Sequence, residues 1–221
     1  MIRLLIGDDH RIVREGLKQV LADAPDMCIA GEAHSGADVL EQVRKLGGTD
    51  GLDLVLLDIA MPQGDGLEVL QILRRAYPAL PVLMLSTYPE KQYAVRCIKL
   101  GAGGYLNKSA DPDDMVAAVR KVASGGMYVT PATAEALAAA MGAVASRSGA
   151  GGVEALSHRE YQVFRLLITG HTVSEIGAQL KLASNTVSTY RARILEKTGA
   201  KNDVELTLFA ERHTGPTSGT P

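Results

Sequence analysis

Six side chains could do chemistry in this sequence. Asp8 and Asp9 stand together in MIRLLIGDDH, Asp58 stands in LVLLDIAMPQGDG, Ser86 and Thr87 close LMLST, and Lys108 follows GYLN. Three carboxylates brought together repel one another, and a hard divalent cation with oxygen ligands, Mg²⁺ above all, relieves that repulsion. A hydroxyl and an ammonium facing the same point suit the oxygens of a phosphoryl group, whose charge a metal and a lysine can share. One carboxylate can then act as a nucleophile and form an aspartyl phosphate. Taken singly, an Asp after an apolar run is a cap or turn residue and a Lys is a solvated charge. The reading rests on their joint placement.

That placement depends on the elements between them. Short apolar runs at Ile2–Ile6, Met27–Ala30, Leu52–Leu57, Pro81–Leu85 and Gly104–Leu106 alternate with amphipathic stretches whose apolar residues recur three or four apart, such as Val13, Leu17, Val20 and Leu21. This is the pattern of an α/β domain with a parallel sheet. Five strands and five helices predict a flavodoxin-like, doubly wound, five-stranded sheet. Such sheets bind ligands beyond the carboxyl ends of their strands, where all six residues fall.

After Gly126 the pattern changes. Thr130-Pro131 predicts an N-cap and first helical position opening the alanine-rich segment Ala132–Ala145, SRSGAGG at 146–152 reads as a flexible linker, and no strand pattern follows. Four short helices are announced by Ser157 with Glu160, Thr172 with Glu175, Ser184 as a cap, and Asn202 with Glu205. This predicts a second, all-α domain with a helix-turn-helix spacing over residues 173–198, broken at Lys181–Ala183. The tail from His213, HTGPTSGTP, is predicted to be disordered.

Composition excludes several classes. The chain has 221 residues, 23 Lys+Arg against 25 Asp+Glu and a formal net charge of −2, which argues against a uniformly basic nucleic-acid binder. The global figure hides a local patch: Lys181, Arg191, Arg193, Lys197 and Lys201 face one acid, Glu196, within residues 181–201. Residues 153–213 together hold eight basic and seven acidic side chains. Two cysteines, Cys28 and Cys97, build no disulfide framework or metal cluster. The apolar start is too short for a secretory signal, and no apolar run approaches the ~18 residues of a membrane span. A cytoplasmic protein with no membrane partner is expected.

With these residues in place, positions 1–124 resemble the receiver domain of two-component response regulators, on the acidic pair Asp8-Asp9, LVLLDIAMPQGDG around Asp58, LMLST, and GYLNK ending at Lys108. The resemblance implies that Asp58 is the phosphoacceptor. Asp9, Asp58 and the Ala60 backbone carbonyl would ligate Mg²⁺, Asp8 would act mainly through metal-bound water, and Ser86 and Lys108 would contact the phosphoryl oxygens. Ser86 and Tyr105 would form the switch pair, with Gly103-Gly104 leaving room for Tyr105 to move. Ser109 follows Lys108 where many receivers have proline, which narrows the resemblance to the NarL/FixJ subgroup. Thr87 and Gly7 also depart from common receiver residues.

Residues 154–210 resemble a LuxR-type DNA-binding domain, on LSHRE, the Gly170 break, EIGAQL, NTVSTYR, ILEKTGA and VEL. On a helical wheel Val187, Ile194 and Thr198 share one side, and Ser188, Thr189, Ala192, Arg193 and Glu196 the other. The resemblance makes 184–198 the recognition helix. Ser188, Thr189 and Ala192 would face bases, Ala192 a thymine methyl, with Asn185 and Thr186 also counted as DNA-binding; Arg191, Arg193 and Lys197 would mostly meet phosphates, and Thr172 and Ser174 would do so from the preceding helix. Many relatives carry lysine at Ser188 and histidine at Tyr190, so no operator sequence carries over. Val204, Leu206 and Leu208 on the last helix, Asp203–Glu211, are candidates for core or dimer contacts.

The domain organisation expected is a receiver at 1–124, a linker with a helix at 125–152, a helix-turn-helix domain at 153–213 and a tail at 214–221. The function expected is a response regulator, phosphorylated on Asp58 by a sensor histidine kinase or phosphotransfer protein, that dimerises when phosphorylated and binds double-stranded DNA to regulate transcription. It is not an enzyme: a haloacid-dehalogenase-like phosphatase would need a second Asp where Ala60 stands. The alternative is a transcription regulator that binds DNA regardless of phosphorylation.

Overall fold

The computed structural model describes residues 1–62, 65–88, 90–144, 153 and 156–214. The chain divides into two compact units, Met1–Ser146 and Arg147–Pro221. The predicted linker 146–152 and the tail from 215 onward lie outside the described residues.

In the first unit, strands β1 (Ile2–Gly7), β2 (Met27–Ala33), β3 (Leu54–Asp58), β4 (Val82–Ser86) and β5 (Gly104–Asn107) form one sheet in the order β2-β1-β3-β4-β5, with every pair parallel. Between and after them run α1 (Arg11–Ala22), α2 (Gly36–Lys45), α3 (Gly66–Ala76), α4 (Glu90–Lys99), α5 (Pro112–Ala123) and α6 (Pro131–Val144). The inner strands β3 and β4 are buried at every residue, as continuous apolar runs covered on both faces must be. Leu4, Ile6, Leu54, Leu56, Leu83, Leu85 and Leu106 turn one way and pack under Leu17 and Leu21 of α1 and Met115, Val119 and Val122 of α5. Each such side chain, fully buried, contributes roughly 1.5–3 kcal/mol. Leu5, Val55, Leu57 and Met84, one step along each strand, are buried on the opposite side.

Strand ends differ from the apolar runs by one to three residues. β2 continues through Gly31 and Glu32 to Ala33, because an edge strand needs no apolar residue on its exposed side; its register against β1 shifts between Leu4 and Leu5. β3 begins at Leu54, since Asp53 is drawn off to Arg3, whose Nε lies 2.9 Å from Asp53 Oδ2.

The chain leaves α5 along the β5 edge. The Tyr128 N–H donates to the Gly103 carbonyl at 2.9 Å, and Tyr128 bridges Gly104 in parallel. Thr130 then caps α6, accepting from the Thr133 N–H at 3.2 Å, and the Thr130 and Thr133 hydroxyls both bond to Glu90 at the start of α4. The space expected beside Gly103 and Gly104 is therefore taken. A Cβ on Gly103 would come within 2.6 Å of Val122 Cγ1, and one on Gly104 within 2.8 Å of the Tyr128 carbonyl. These glycines permit close packing rather than leave room for Tyr105.

The second unit contains α7 (His158–Ile168), α8 (Val173–Leu180), α9 (Ser184–Thr198) and α10 (Asp203–Thr214). Capping boxes open α7 at Ser157/Glu160 and α8 at Thr172/Glu175. The predicted cap at Ser184 is displaced by one residue. Ala183 is the extended N-cap, its carbonyl accepting from the Thr186 and Val187 amides, so Ser184 is already helical. α10 runs to Thr214, which makes His213 and Thr214 helical rather than part of a disordered tail. Phe164, Val163, Ile176, Val187, Ile194 and Leu206 are fully buried in the core of this unit. Val204 and Leu208 are exposed. No helix among the described residues is long and apolar enough to cross a membrane.

Candidate phosphoryl-accepting and DNA-facing sites

The acidic residues converge because parallel strands end together. Asp58 is the last residue of β3 and Ser86 the last of β4; Asp8 follows β1 and Lys108 follows β5. The Ile59 N–H donates to the Leu85 carbonyl and the Lys108 N–H to the Ser86 carbonyl, which locks the exits of β3, β4 and β5 side by side. Gly66, after its cap Asp65, lets α3 start against the Asp58 backbone, where a Cβ would fall 2.1 Å from the Asp58 carbonyl oxygen. Gly7 likewise admits Val39 of α2, whose Cγ2 lies 2.6 Å from where a Cβ would stand.

Lys108 Nζ lies 2.7 Å from Asp8 Oδ2 and 2.8 Å from Asp58 Oδ2, with side-chain exposures of 7% for the lysine, 0% for Asp8 and 3% for Asp58. Burial pushes the Asp58 carboxyl above its ordinary range, against the pull of the Lys108 ammonium; Asp8 pushes it up further, and a bond involving the Ala60 backbone opposes it. Asp9 is open to solvent beside them. Oxygens of Asp8, Asp9 and Asp58 and a ring nitrogen of His10 all lie within 4.8 Å of one another. An oxygen-rich group with more negative than positive charge suits Mg²⁺. His10 was not foreseen as part of the group, although it follows Asp9 directly; its Nδ1 is 2.7 Å from Asp9 Oδ1.

Ser86 and Tyr105 are buried next to this pocket. The Ser86 Oγ accepts from the Tyr88 N–H at 3.1 Å, and the Tyr105 hydroxyl donates to the Tyr88 carbonyl at 2.7 Å. One residue of the β4–α4 connection thus holds both members of the expected switch pair. Burial pushes the Tyr105 phenol up, so it remains a donor at neutral pH. Thr87 is exposed.

In the second unit α9 buries Val187, Ile194 and Thr198 and leaves Asn185, Ser188, Thr189, Ala192 and Arg193 exposed, with Thr186 half-buried. Thr172 and Ser174 are exposed at the start of α8. Two of the three cations expected to meet phosphates already have acidic neighbours. Arg191 Nε lies 2.8 Å from Asp203 Oδ1, and Lys197 Nζ lies 2.6 Å from Oε2 of the buried Glu160. Neither pair follows from helical periodicity, because each joins different helices.

The response regulator receiver domain model matches residues 4–120, and the model of bacterial regulatory proteins of the luxR family matches residues 154–210. Response regulator GacA of Pseudomonas aeruginosa is 37% identical over 213 residues, 96% of this chain and 97% of that protein. Response regulator UvrY of Escherichia coli K12 is 35% identical over 213 residues, 96% and 95% of the two chains. RcsB of Salmonella enterica serovar Typhimurium, solved bound to promoter P1flhDC in the presence of the phosphomimetic BeF3-, shares the fold with a TM-score of 0.58 at 23% identity, over 96% of this chain and 98% of that one.

Proposed function

The chain belongs to the NarL/FixJ-type two-component response regulators, and on that premise we propose that a sensor histidine kinase or phosphotransfer protein phosphorylates it on Asp58, after which it dimerises and binds double-stranded DNA through α9. It is a signalling and transcription-regulating protein rather than an enzyme with a turnover substrate. We assign residues 1–124 to the receiver, 125–152 to the linker and 153–213 to DNA binding.

The observation that carries the phosphorylation reading is the buried Asp8–Lys108–Asp58 contact at the ends of three strands. An Asp58 carboxylate oxygen attacks the phosphorus of a phosphohistidine, the P–N bond breaks, and its electron pair returns to the imidazole. Lys108 exchanges a carboxylate partner for a phosphoryl oxygen, and the Ser86 hydroxyl donates to another. Asp9, Asp58 and the Ala60 carbonyl, with Asp8 behind them, would hold Mg²⁺, which would supply positive charge to offset the carboxylates and the transferring group. With Ser86 drawn toward the phosphoryl group, Tyr88 loses its present anchor, and the bond from Tyr105 is remade with it.

On the DNA side, Ser188, Thr189 and Ala192 face bases, with Ala192 suited to a thymine methyl. Asn185, Thr186, Arg191, Arg193 and Lys197, with Thr172 and Ser174, position the helix on the backbone. The test incubates the full-length chain with acetyl phosphate and Mg²⁺ and traps the acyl phosphate with hydroxylamine. Wild type yields the hydroxamate at Asp58, and, in a separate sample left phosphorylated, binds its genomic sites more tightly than unphosphorylated protein. An Asp58→Asn variant that still forms an acyl phosphate, or binds the same sites with the same phosphate dependence, defeats the reading.

A further inference from the structure

Arg14 of α1 is charged yet buried, with 5% of its surface exposed. Its Nη1 donates to the backbone carbonyl of Asp8 at 2.8 Å, and its Nε donates to Glu32 Oε2 at 3.1 Å. Glu32 is gripped from the other side by Lys18 Nζ at 2.9 Å, and Lys18 also binds Glu15 at 2.7 Å. Lys18 foremost, with Arg14, holds the Glu32 carboxyl below its ordinary range, so the strand supplies a full negative charge at neutral pH. The two cations and two anions balance, which leaves the network little net field to project at the acidic pocket.

The remaining polar groups of Asp8 are also engaged. Its N–H donates to the Ala33 carbonyl, the residue after Glu32; its Oδ1 accepts from the His10 N–H at 2.8 Å, and its Oδ2 faces Lys108. The Asp8 carbonyl is held by the Arg14 guanidinium rather than by a sheet bond, and it fixes the plane of the peptide leading into Asp9. A guanidinium buried here is costly compared with an aliphatic side chain of the same volume. α1 has no side-chain N-cap to orient its first turn.

We propose that Arg14, braced by Glu32, is a positioning residue for the metal-binding acidic pair: it locks the Asp8–Asp9 peptide so that both carboxylates are preset for Mg²⁺. Outer groups that orient metal ligands typically cost about 10–100-fold in metal affinity when removed. Because the network is balanced in charge, the effect comes through geometry. Lys18, which touches Glu32 but not Asp8, contributes little.

The inference rests on the metal reading of the acidic site, and the experiment separates the two. Mg²⁺ is titrated into the full-length chain at 25 °C, with the amide NMR signals of Gly7, Asp9 and His10 as readout and circular dichroism confirming that each variant is folded. Dissociation constants measured on folded protein are not moved by a loss of global stability alone. Arg14→Met is expected to weaken Mg²⁺ about tenfold. Arg14→Lys keeps one donor for the Asp8 carbonyl and is expected to fall between Arg14→Met and wild type; Lys18→Met is expected to stay within about twofold. If Arg14→Met does not fold, Arg14→Lys decides. A folded Arg14→Lys that binds Mg²⁺ as wild type does, or a Lys18→Met as weakened as the Arg14 variants, overturns the inference. A wild-type chain that binds no Mg²⁺ overturns the metal reading and this inference with it.

Discussion

Replacing Lys108 by Met keeps the aliphatic stem and removes only the ammonium that Asp8 and Asp58 share. Both carboxylates are almost wholly buried and lie within 2.8 Å of Lys108 Nζ. Stripping the partner from a buried ion group costs about 3–5 kcal/mol, roughly a fifth or more of the stability of an ordinary domain. The loss converts to roughly two to four powers of ten in the opening equilibrium. Peptide-resolved hydrogen exchange of the full-length chain measures it, since amides of β1 and β3 exchange only when the receiver core opens. In EDTA, Lys108→Met should accelerate those amides by that factor while α7 and α9 stay unchanged. Adding Mg²⁺ should slow them more in Lys108→Met than in wild type, because the ion restores the missing charge. Asp58→Asn on the Lys108→Met background should recover most of the loss, as only one buried carboxylate remains. A change below about tenfold in EDTA, or equal Mg²⁺ protection in both proteins, would refute the view that Lys108 is the counter-charge of this pocket.

The raised Asp58 carboxyl fixes a sign. Its contribution to stability is full when protonated, below its ordinary value of 3.8, and is lost as pH rises through the raised folded value. In metal-free urea titrations from pH 3 upward, Asp58→Asn should therefore gain on wild type as pH rises, and parallel curves would contradict this. Lys181 ends α8 in the left-handed region at φ 54, where a side chain costs about 1 kcal/mol; Lys181→Gly should stabilise the helical unit by that amount in thermal melts, and a loss would show that the lysine has an unseen role there. Arg193 is exposed, whereas Arg191 is engaged by Asp203. Arg193→Ala should lower the salt slope of binding to a nonspecific duplex by about 0.9, and Arg191→Ala by less; equal slopes in fluorescence anisotropy would place both cations on phosphate alike.

The pocket was legible because its members announce themselves locally: each follows an apolar run, and a parallel sheet brings such positions together. Helix α9 was legible because Val187, Ile194 and Thr198 keep a helical period. What periodicity could not reveal were contacts between elements far apart in the chain. Arg14 on the Asp8 carbonyl, Lys197 on Glu160 and Arg191 on Asp203 each need a third dimension. The glycines misled for the same reason: Gly103 and Gly104 read as slack from sequence, and the structure fills both places with Val122 and Tyr128. Ser184 was misassigned as a cap because Ala183, which has no hydroxyl, takes that position with its backbone alone.

The course of the chain after α5 bears on how copies of the protein can meet. An open sheet exposes two rows of unpaired backbone groups, and each invites another strand. Here β5 is only four residues long, and its outer side is occupied at Gly104 by Tyr128. The other border, β2, carries a register break and the charged side chain of Glu32, features that discourage flush pairing. Strand-to-strand fusion, the commonest route from a sheet protein to an unwanted fibre, is obstructed on both sides. A second copy meets better prospects at the helical faces than at either edge of the sheet.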